Sequence, residues 1–233
     1  MPGSPVKDSG ICGLLFPTPN LMKPKFPVFS RKERSLYCFA DSLPLCQALL
    51  DGGAGIIQLR AKGLTDSSFR ELAEEMQAMV RAYPVPATLI INDRADIALD
   101  IAADGLHLGQ SDSDYRRVIK AAPSEMIVGV SVHTAAQALE AQNAGATYVG
   151  AGAVFATATK SDAQLIGLEE LERIVAATTI PVVAIGGIGY ENIDQVVSAG
   201  AHYFAIISDI NQSPDIMSRM NELNRKISDT LSL

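Results

Sequence analysis

Positive charge is scarce in this 233-residue chain: 19 Lys and Arg stand against 26 Asp and Glu, a formal net charge of −7 with a pI near 5.0. A nucleic-acid binder needs a basic face to displace counterions from phosphates, so the balance argues against that class. Any anionic ligand must be held by a local cluster of donors. Cysteine is scarcer still. Cys12, Cys38 and Cys46, at unequal spacing, give neither a disulfide framework nor a zinc knuckle, and a reducing cytoplasm is the expected setting. No run of about 18 apolar residues exists, so no membrane span is expected. The short patch Ile11–Phe16 contains a Gly, precedes a Pro and follows a weakly charged lead, which makes a poor signal peptide. What the chain does have is core material. Hydrophobic residues make up 48% and charged residues 19%, enough for one large domain.

Residues 1–34 differ from the rest. They hold six of the twelve prolines and carry a charge of +4, leaving −11 on the remainder. Proline-rich sequence sustains neither a helix nor a central strand. This segment is therefore expected to be a flexible or peripherally docked extension to a domain spanning 35–233. A bolder expectation places the true start at Met22, which mass spectrometry of the native N-terminus would test. From Ser35 onward, short apolar runs alternate with helical patterns. The expected strands are Ser35–Ala40, Gly55–Arg60, Ala87–Asn92, Gly105–Leu108, Met126–Ser131, Tyr148–Gly152, Val182–Gly186 and Tyr203–Ser208. Between them run amphipathic stretches such as Ser67–Tyr83, with Phe69, Leu72, Ala73, Met76 and Val80 on one face. Continuous apolar strands alternating with such helices imply a parallel sheet buried on both faces. Eight units in this length predict a single α/β TIM barrel, (β/α)8. Glycines near strand starts (Gly53, Gly105, Gly145, Gly200) are expected to end the preceding helices with positive φ.

Such a barrel places its site at the carboxyl ends of the strands. Gln58, Arg60 and Lys62 alternate along strand two, so their donors point to one side, where Arg forks to phosphate and Lys adds a point charge. Asp93 and Asp112, at the ends of strands three and four, could share one Mg²⁺, a hard ion that bridges to substrate phosphates. Each also precedes helical sequence, where an ordinary N-cap is the alternative. The run Thr157-Ala158-Thr159-Lys160 offers hydroxyls, backbone N–H groups and a cation for phosphate. Gly186-Gly187 with Ile207-Ser208 match the phosphate site that barrels build after strands seven and eight. His133 is flanked by a capping box of Thr134 and Gln137, which favours a structural role. His107 reads as core-facing, His202 lies away from the active end, and Cys38 reads as core.

Taken together, Gln58-Leu59-Arg60-Ala61-Lys62, Asn92-Asp93-Arg94, Asp104–Gln110, Gly129–Thr134, Thr157–Lys160 and Ala184–Ile188 resemble the thiamine phosphate synthase (thiamine-phosphate pyrophosphorylase) family, over about Ser35 to Ile210. The resemblance implies a transferase that couples 4-amino-5-hydroxymethyl-2-methylpyrimidine diphosphate to 4-methyl-5-(2-phosphooxyethyl)thiazole, with loss of pyrophosphate. It implies that Gln58, Leu59, Arg60, Ala61, Lys62, Asn92, Ser131 and Lys160 hold the pyrimidine diphosphate. Arg60, Lys62, Lys160 and Ser131 serve the chemistry, and Asp93 and Asp112 bind Mg²⁺. Thr157, Ala158, Thr159, Gly187, Ile207 and Ser208 hold the thiazole phosphate. The implied mechanism is dissociative: pyrophosphate leaves, an aminopyrimidine-stabilised cation forms, and the thiazole nitrogen captures it. Partners are these small molecules, and self-association into a homo-oligomer is compatible with the sequence.

Three departures stand out. Ala61 replaces a usual Glu, and Ala153, Ala156 and Ala158 replace usual prolines, which should loosen the loop. Asp209 stands where a small residue is usual, and a carboxylate near a bound phosphate repels it unless it points away or meets a cation. Two rival readings are a thiazole tautomerase of the same superfamily, using His133, and a catalytically silent barrel that binds thiamine phosphate.

Overall fold

The computed structural model describes residues 29–110, 114–157 and 164–232. Eight parallel strands are present: β1 (Ser35–Ala40), β2 (Ile56–Leu59), β3 (Thr88–Asn92), β4 (Gly105–Leu108), β5 (Ile127–Val132), β6 (Tyr148–Gly152), β7 (Val182–Ile185) and β8 (Tyr203–Ala205). Each pairs with the next and β8 returns to β1, closing a (β/α)8 barrel. The intervening helices are α1 (Leu43–Asp51), α2 (Asp66–Ala82), α3 (Ala95–Asp100), α4 (Tyr115–Ala121), α5 (Ala135–Ala144), α6 (Gly167–Ala177) and α7 (Ile193–Ser198). A short α8 (Ser208–Asn211) and a long α9 (Ile216–Leu231) follow β8.

The pleat sorts each strand into two cores. On β2, Ile57 and Leu59 join the layer between sheet and helices, while Ile56 joins the barrel interior with Tyr37, Ile90, Tyr148 and Tyr203. Inside, large rings need small neighbours. A Cβ on Gly129 would sit 2.0 Å from the Tyr148 ring, so glycine at that position of β5 is what admits the tyrosine. Thr134 caps α5 by accepting from the Gln137 N–H at 3.2 Å, and Gln137 Oε1 accepts from the His133 N–H at 2.7 Å.

Two local expectations are corrected. Gly53, Gly145 and Gly200 take positive φ, but Gly105 lies inside β4 and Ala102 (φ 48°) makes the turn in its place. Strand eight stops at Ala205 instead of Ser208, because the chain turns into α8 and Ser208 becomes its first residue.

Residues 29–34 dock beneath the barrel. Phe29 is buried, stacked on Tyr148 with ring centroids 4.3 Å apart and 4.9 Å from the Tyr203 ring. The Ser30 N–H donates to the Tyr203 hydroxyl, which donates in turn to Glu33. Arg31 donates to the carbonyls of Val175, in the last turn of α6, and of Thr178, just after it. The amino-terminal mouth of the barrel is thereby closed by an aromatic ring whose burial stabilises the fold by roughly 1.5–3 kcal/mol. Residues 1–28, including Cys12 and Met22, lie outside the described residues. Among the described residues, no helix is long and apolar enough to cross a membrane.

Candidate active site

At the carboxyl ends of the strands lies a cavity of about 970 Å³. Its floor and one wall come from β2 and β3. Gln58 is buried in the interior, Arg60 stands above it half-buried, and Lys62 reaches the exposed rim. The period of two that brings these three together sends Leu59 and Ala61 the other way, where both pack in the outer core. Leu59 and Ala61 therefore do not line the cavity with their side chains, unlike Asn92, Asp93 and Ser131.

Asp93 occupies the left-handed region at φ 61°, a conformation that costs a non-glycine residue about 1 kcal/mol or more and collects at functional sites. Its N–H donates to the His107 carbonyl at 2.9 Å, and its Oδ2 accepts from Asn92 Nδ2 at 2.6 Å. The helix that follows, α3, has Arg94 at its N-cap, one residue beyond Asp93. A carboxylate on the cavity wall suits Mg²⁺, which takes one or two carboxylates together with waters and substrate phosphates. Asp112, the second expected ligand, lies outside the described residues, as do Ala158, Thr159 and Lys160. Among the described residues, no group of three or more acidic, His or Cys side chains is placed to hold a metal.

Across the barrel, Thr157, Gly187, Ile207 and Ser208 line the opposite wall. Gly187 has φ 62°, and a Cβ there would lie 2.4 Å from the Ala156 carbonyl oxygen, so only glycine fits. Asn192 clamps this turn, accepting from the Gly189 N–H and donating to the Gly187 carbonyl, both at 2.9 Å. The neighbouring chain, with alanines at 153 and 156, is tied by Ala153 N–H to Gln164 O at 2.9 Å and Ile166 N–H to Ala153 O at 2.8 Å. Backbone bonds thus fix the ends of the segment where prolines are missing.

Asp209 is turned aside. Its Oδ2 accepts from the Tyr190 N–H at 2.9 Å, and its Oδ1 lies 3.9 Å from Arg219 Nε on α9. Arg219 and Lys226, also on α9, approach the Tyr190 ring at 5.7 and 4.7 Å. The carboxylate that looked hostile to a phosphate therefore meets both an N–H and a cation.

Beneath these groups runs a chain of hydrogen bonds. Gln58 Nε2 donates to the Tyr37 hydroxyl at 2.8 Å, Tyr37 meets the Tyr148 hydroxyl at 2.8 Å, Tyr148 meets His107 Nδ1 at 2.8 Å, and His107 Nε2 meets Ser131 Oγ at 2.9 Å. Burial pushes both phenols well above the usual tyrosine range, so they stay protonated. His107 does face inward as expected, and it also lines the cavity. Tyr37, Tyr148 and Arg219 were missed as site residues. The inward parity of the tyrosines on β1 and β6 was an available signal, whereas Arg219 follows the last strand and left none.

Two cationic side chains and a carboxylate on one wall, facing a glycine turn after β7 on the other, are the arrangement of a (β/α)8-barrel enzyme with its site at the carboxyl ends of the strands. Comparison with known proteins narrows this. The sequence profile described as "Thiamine monophosphate synthase" matches residues 30–210. A "Thiamine-phosphate synthase" of Clostridium acetobutylicum is 42% identical over 188 residues, 81% of this chain and 85% of that protein. One from Pyrococcus abyssi is 38% identical over 206 residues, 86% of this chain and 98% of that protein. The solved "Thiamine phosphate pyrophosphorylase from Pyrococcus furiosus" superposes with a TM-score of 0.78 at 36% identity, covering 86% of this chain and 98% of that one. The chain belongs to the thiamine monophosphate synthase family and is a transferase of thiamine biosynthesis. Neither the tautomerase nor the silent barrel finds support among these relatives.

Proposed function

We propose that the chain joins 4-amino-5-hydroxymethyl-2-methylpyrimidine diphosphate to 4-methyl-5-(2-phosphooxyethyl)thiazole, giving thiamine phosphate and pyrophosphate. The observation that carries the reading is the division of one cavity between Arg60, Lys62 and Asp93 on one side and Gly187 and Ser208 on the other. Arg60 and Lys62, joined by Lys160, hold the diphosphate, and the pyrimidine ring lies deeper, on Gln58, Asn92 and Ser131. Thr157, Thr159, Gly187, Ile207 and Ser208 hold the thiazole phosphate, the Ser208 end of α8 meeting the anion.

The C–O bond between the pyrimidine methylene and the diphosphate breaks first, and its electron pair leaves with pyrophosphate. The 4-amino group feeds electrons into the ring to stabilise the methylene cation, and the thiazole nitrogen then closes the new C–N bond. Such a reaction needs clustered cations on the leaving group and two reactants held in line, not a nucleophilic side chain. The site accords with that need. Cys38 and Cys46 are buried, with burial pushing their thiols up to about 12 and about 11, and neither lines the cavity. Bound through Asp93 and Asp112, Mg²⁺ would add positive charge to the departing diphosphate. We place the protein in the cytoplasm, a setting that suits buried free thiols.

The test is to incubate protein with both substrates, in Mg²⁺ or in EDTA, and to measure pyrophosphate and thiamine phosphate together. Equal formation of both, lost in EDTA, is expected. Absence of product in Mg²⁺ alongside saturable binding of thiamine phosphate would replace this reading with the silent barrel.

A further inference from the structure

The last helix reaches back towards the site. On α9, Met220, Leu223 and Ile227 are buried, and one residue earlier Arg219, Glu222 and Lys226 repeat the same spacing, a polar row beside the apolar stripe. The helix packs on α7, and the row meets the loop that carries the chain from β7 into α7. Lys226 makes three contacts there. Its Nζ donates to the Tyr190 carbonyl, lies 4.7 Å from the centre of the Tyr190 ring, and stands 3.3 Å from Asp194 Oδ1 in the first turn of α7. The Lys226 side chain is 25% exposed, so the ammonium is largely engaged by these groups. One cation thus ties the loop to the helix that follows it.

The inner side of the same loop belongs to the cavity. Gly187, Tyr190 and Asn192 line it, whereas Lys226 and Asp194 stand outside. Three glycines, Gly186, Gly187 and Gly189, give this turn the room an anion needs and make it pliable for the same reason. A bound dianion draws N–H groups towards itself, and a displacement of about 1 Å is enough to spoil alignment of two reactants. Rigidity must therefore be supplied from around the turn. Asn192 supplies it from within, and the Ile193 N–H adds a bond to the Gly189 carbonyl at 3.0 Å. We propose that Lys226 supplies it from without, as a positioning residue that holds the Gly187–Asn192 turn in place for the thiazole phosphate through Tyr190 and Asp194. The inference rests on the synthase reading. Lys226 touches no reacting atom, and it acts through the backbone it fastens and not through its charge on the anion.

The experiment measures, by calorimetry, the affinities of thiazole phosphate and of pyrimidine diphosphate for wild type, Lys226→Met, Lys226→Arg and Asp194→Ala, with thermal unfolding followed in parallel. Lys226→Met keeps an apolar stem and removes the donor. It should weaken thiazole phosphate binding by about fivefold, the scale of one charged hydrogen bond partly lost, and leave pyrimidine diphosphate within about twofold. Lys226→Arg should restore binding to within about twofold. Asp194→Ala separates position from charge. Removing an anion would strengthen phosphate binding if only the local field mattered, whereas loosening Lys226 should weaken it by about twofold. The proposal is overturned by unchanged thiazole phosphate affinity in folded Lys226→Met, by equal losses for both substrates, or by Asp194→Ala binding as well as wild type or better. Should Lys226→Met not fold, Asp194→Ala decides alone. If wild type binds both compounds and forms no thiamine phosphate, the synthase reading fails, while the affinities still judge Lys226.

Discussion

Replacing Arg219 by Gln removes the guanidinium that faces Asp209 and lies over the Tyr190 ring. The two side chains are 31% and 29% exposed, with Nε and Oδ1 3.9 Å apart. At an effective dielectric near 20, that separation corresponds to about 4 kcal/mol of attraction, an upper value. Partial exposure and side-chain entropy reduce the net worth of such a pair to about 1 kcal/mol. The variant also leaves Asp209 with the Tyr190 N–H but without its cation, on the cavity wall where the thiazole phosphate dianion is proposed to sit. Together these effects should raise the KM for thiazole phosphate by about tenfold, the equivalent of 1.4 kcal/mol, with kcat changed far less. The assay is steady-state thiamine phosphate formation against thiazole phosphate, at saturating pyrimidine diphosphate. Removing the carboxylate as well, in Arg219→Gln with Asp209→Ala, should bring KM back to within about threefold of wild type, since the repulsion goes with it. Added salt should shrink the defect of the single variant. A single variant with unchanged KM, or a double variant no better than the single, would refute the reasoning.

Asp93→Ala should abolish Mg²⁺-dependent turnover, by about 100-fold or more, and leave the circular dichroism spectrum intact. Retained activity would remove the metal assignment. His202 supplies a pH prediction. Burial, reinforced by Arg34 and Arg31, depresses its pKa from 6.5 to about 4, and the Val182 N–H donates to its Nδ1. The unfolded chain takes up this proton first as pH falls, so the contribution is whole above pH 6.5 and is lost progressively towards pH 4. Allowing for screening, the loss should be of order 1–3 kcal/mol. Urea midpoints measured across that window should show it, and His202→Gln should flatten it. An identical pH dependence in the variant would count against the assignment.

Most of the barrel was legible because its strands are buried on both faces and interrupted by helices of a different period. Ser35–Ala40, Gly105–Leu108 and Tyr148–Gly152 were located to the residue. Strand eight was overrun because Ile206 and Ile207 continue its apolar run, whereas the backbone has already turned towards α8. Within the site, period-two alternation was enough to bring Gln58, Arg60 and Lys62 to one place, and the same rule should have excluded Leu59 and Ala61. The left-handed backbone of Asp93 left no local signature. Nor did the union of Tyr37 with Tyr148, whose hydroxyls meet across 111 residues of chain, or the arrival of Arg219 from a helix beyond the last strand. Contacts of this kind depend on barrel closure, not on spacing.

Phe29 beneath the barrel turns the cavity into a cul-de-sac. With the foot shut by a stacked ring, reactants and products reach the described cavity from the carboxyl ends of the strands. On the placements proposed above, the pyrimidine occupies the blind end and the thiazole phosphate stands nearer the doorway. Traffic is then first in, last out: the pyrimidine diphosphate must enter before its partner bars the way. Product inhibition patterns should accordingly be those of an ordered sequence and not of random entry.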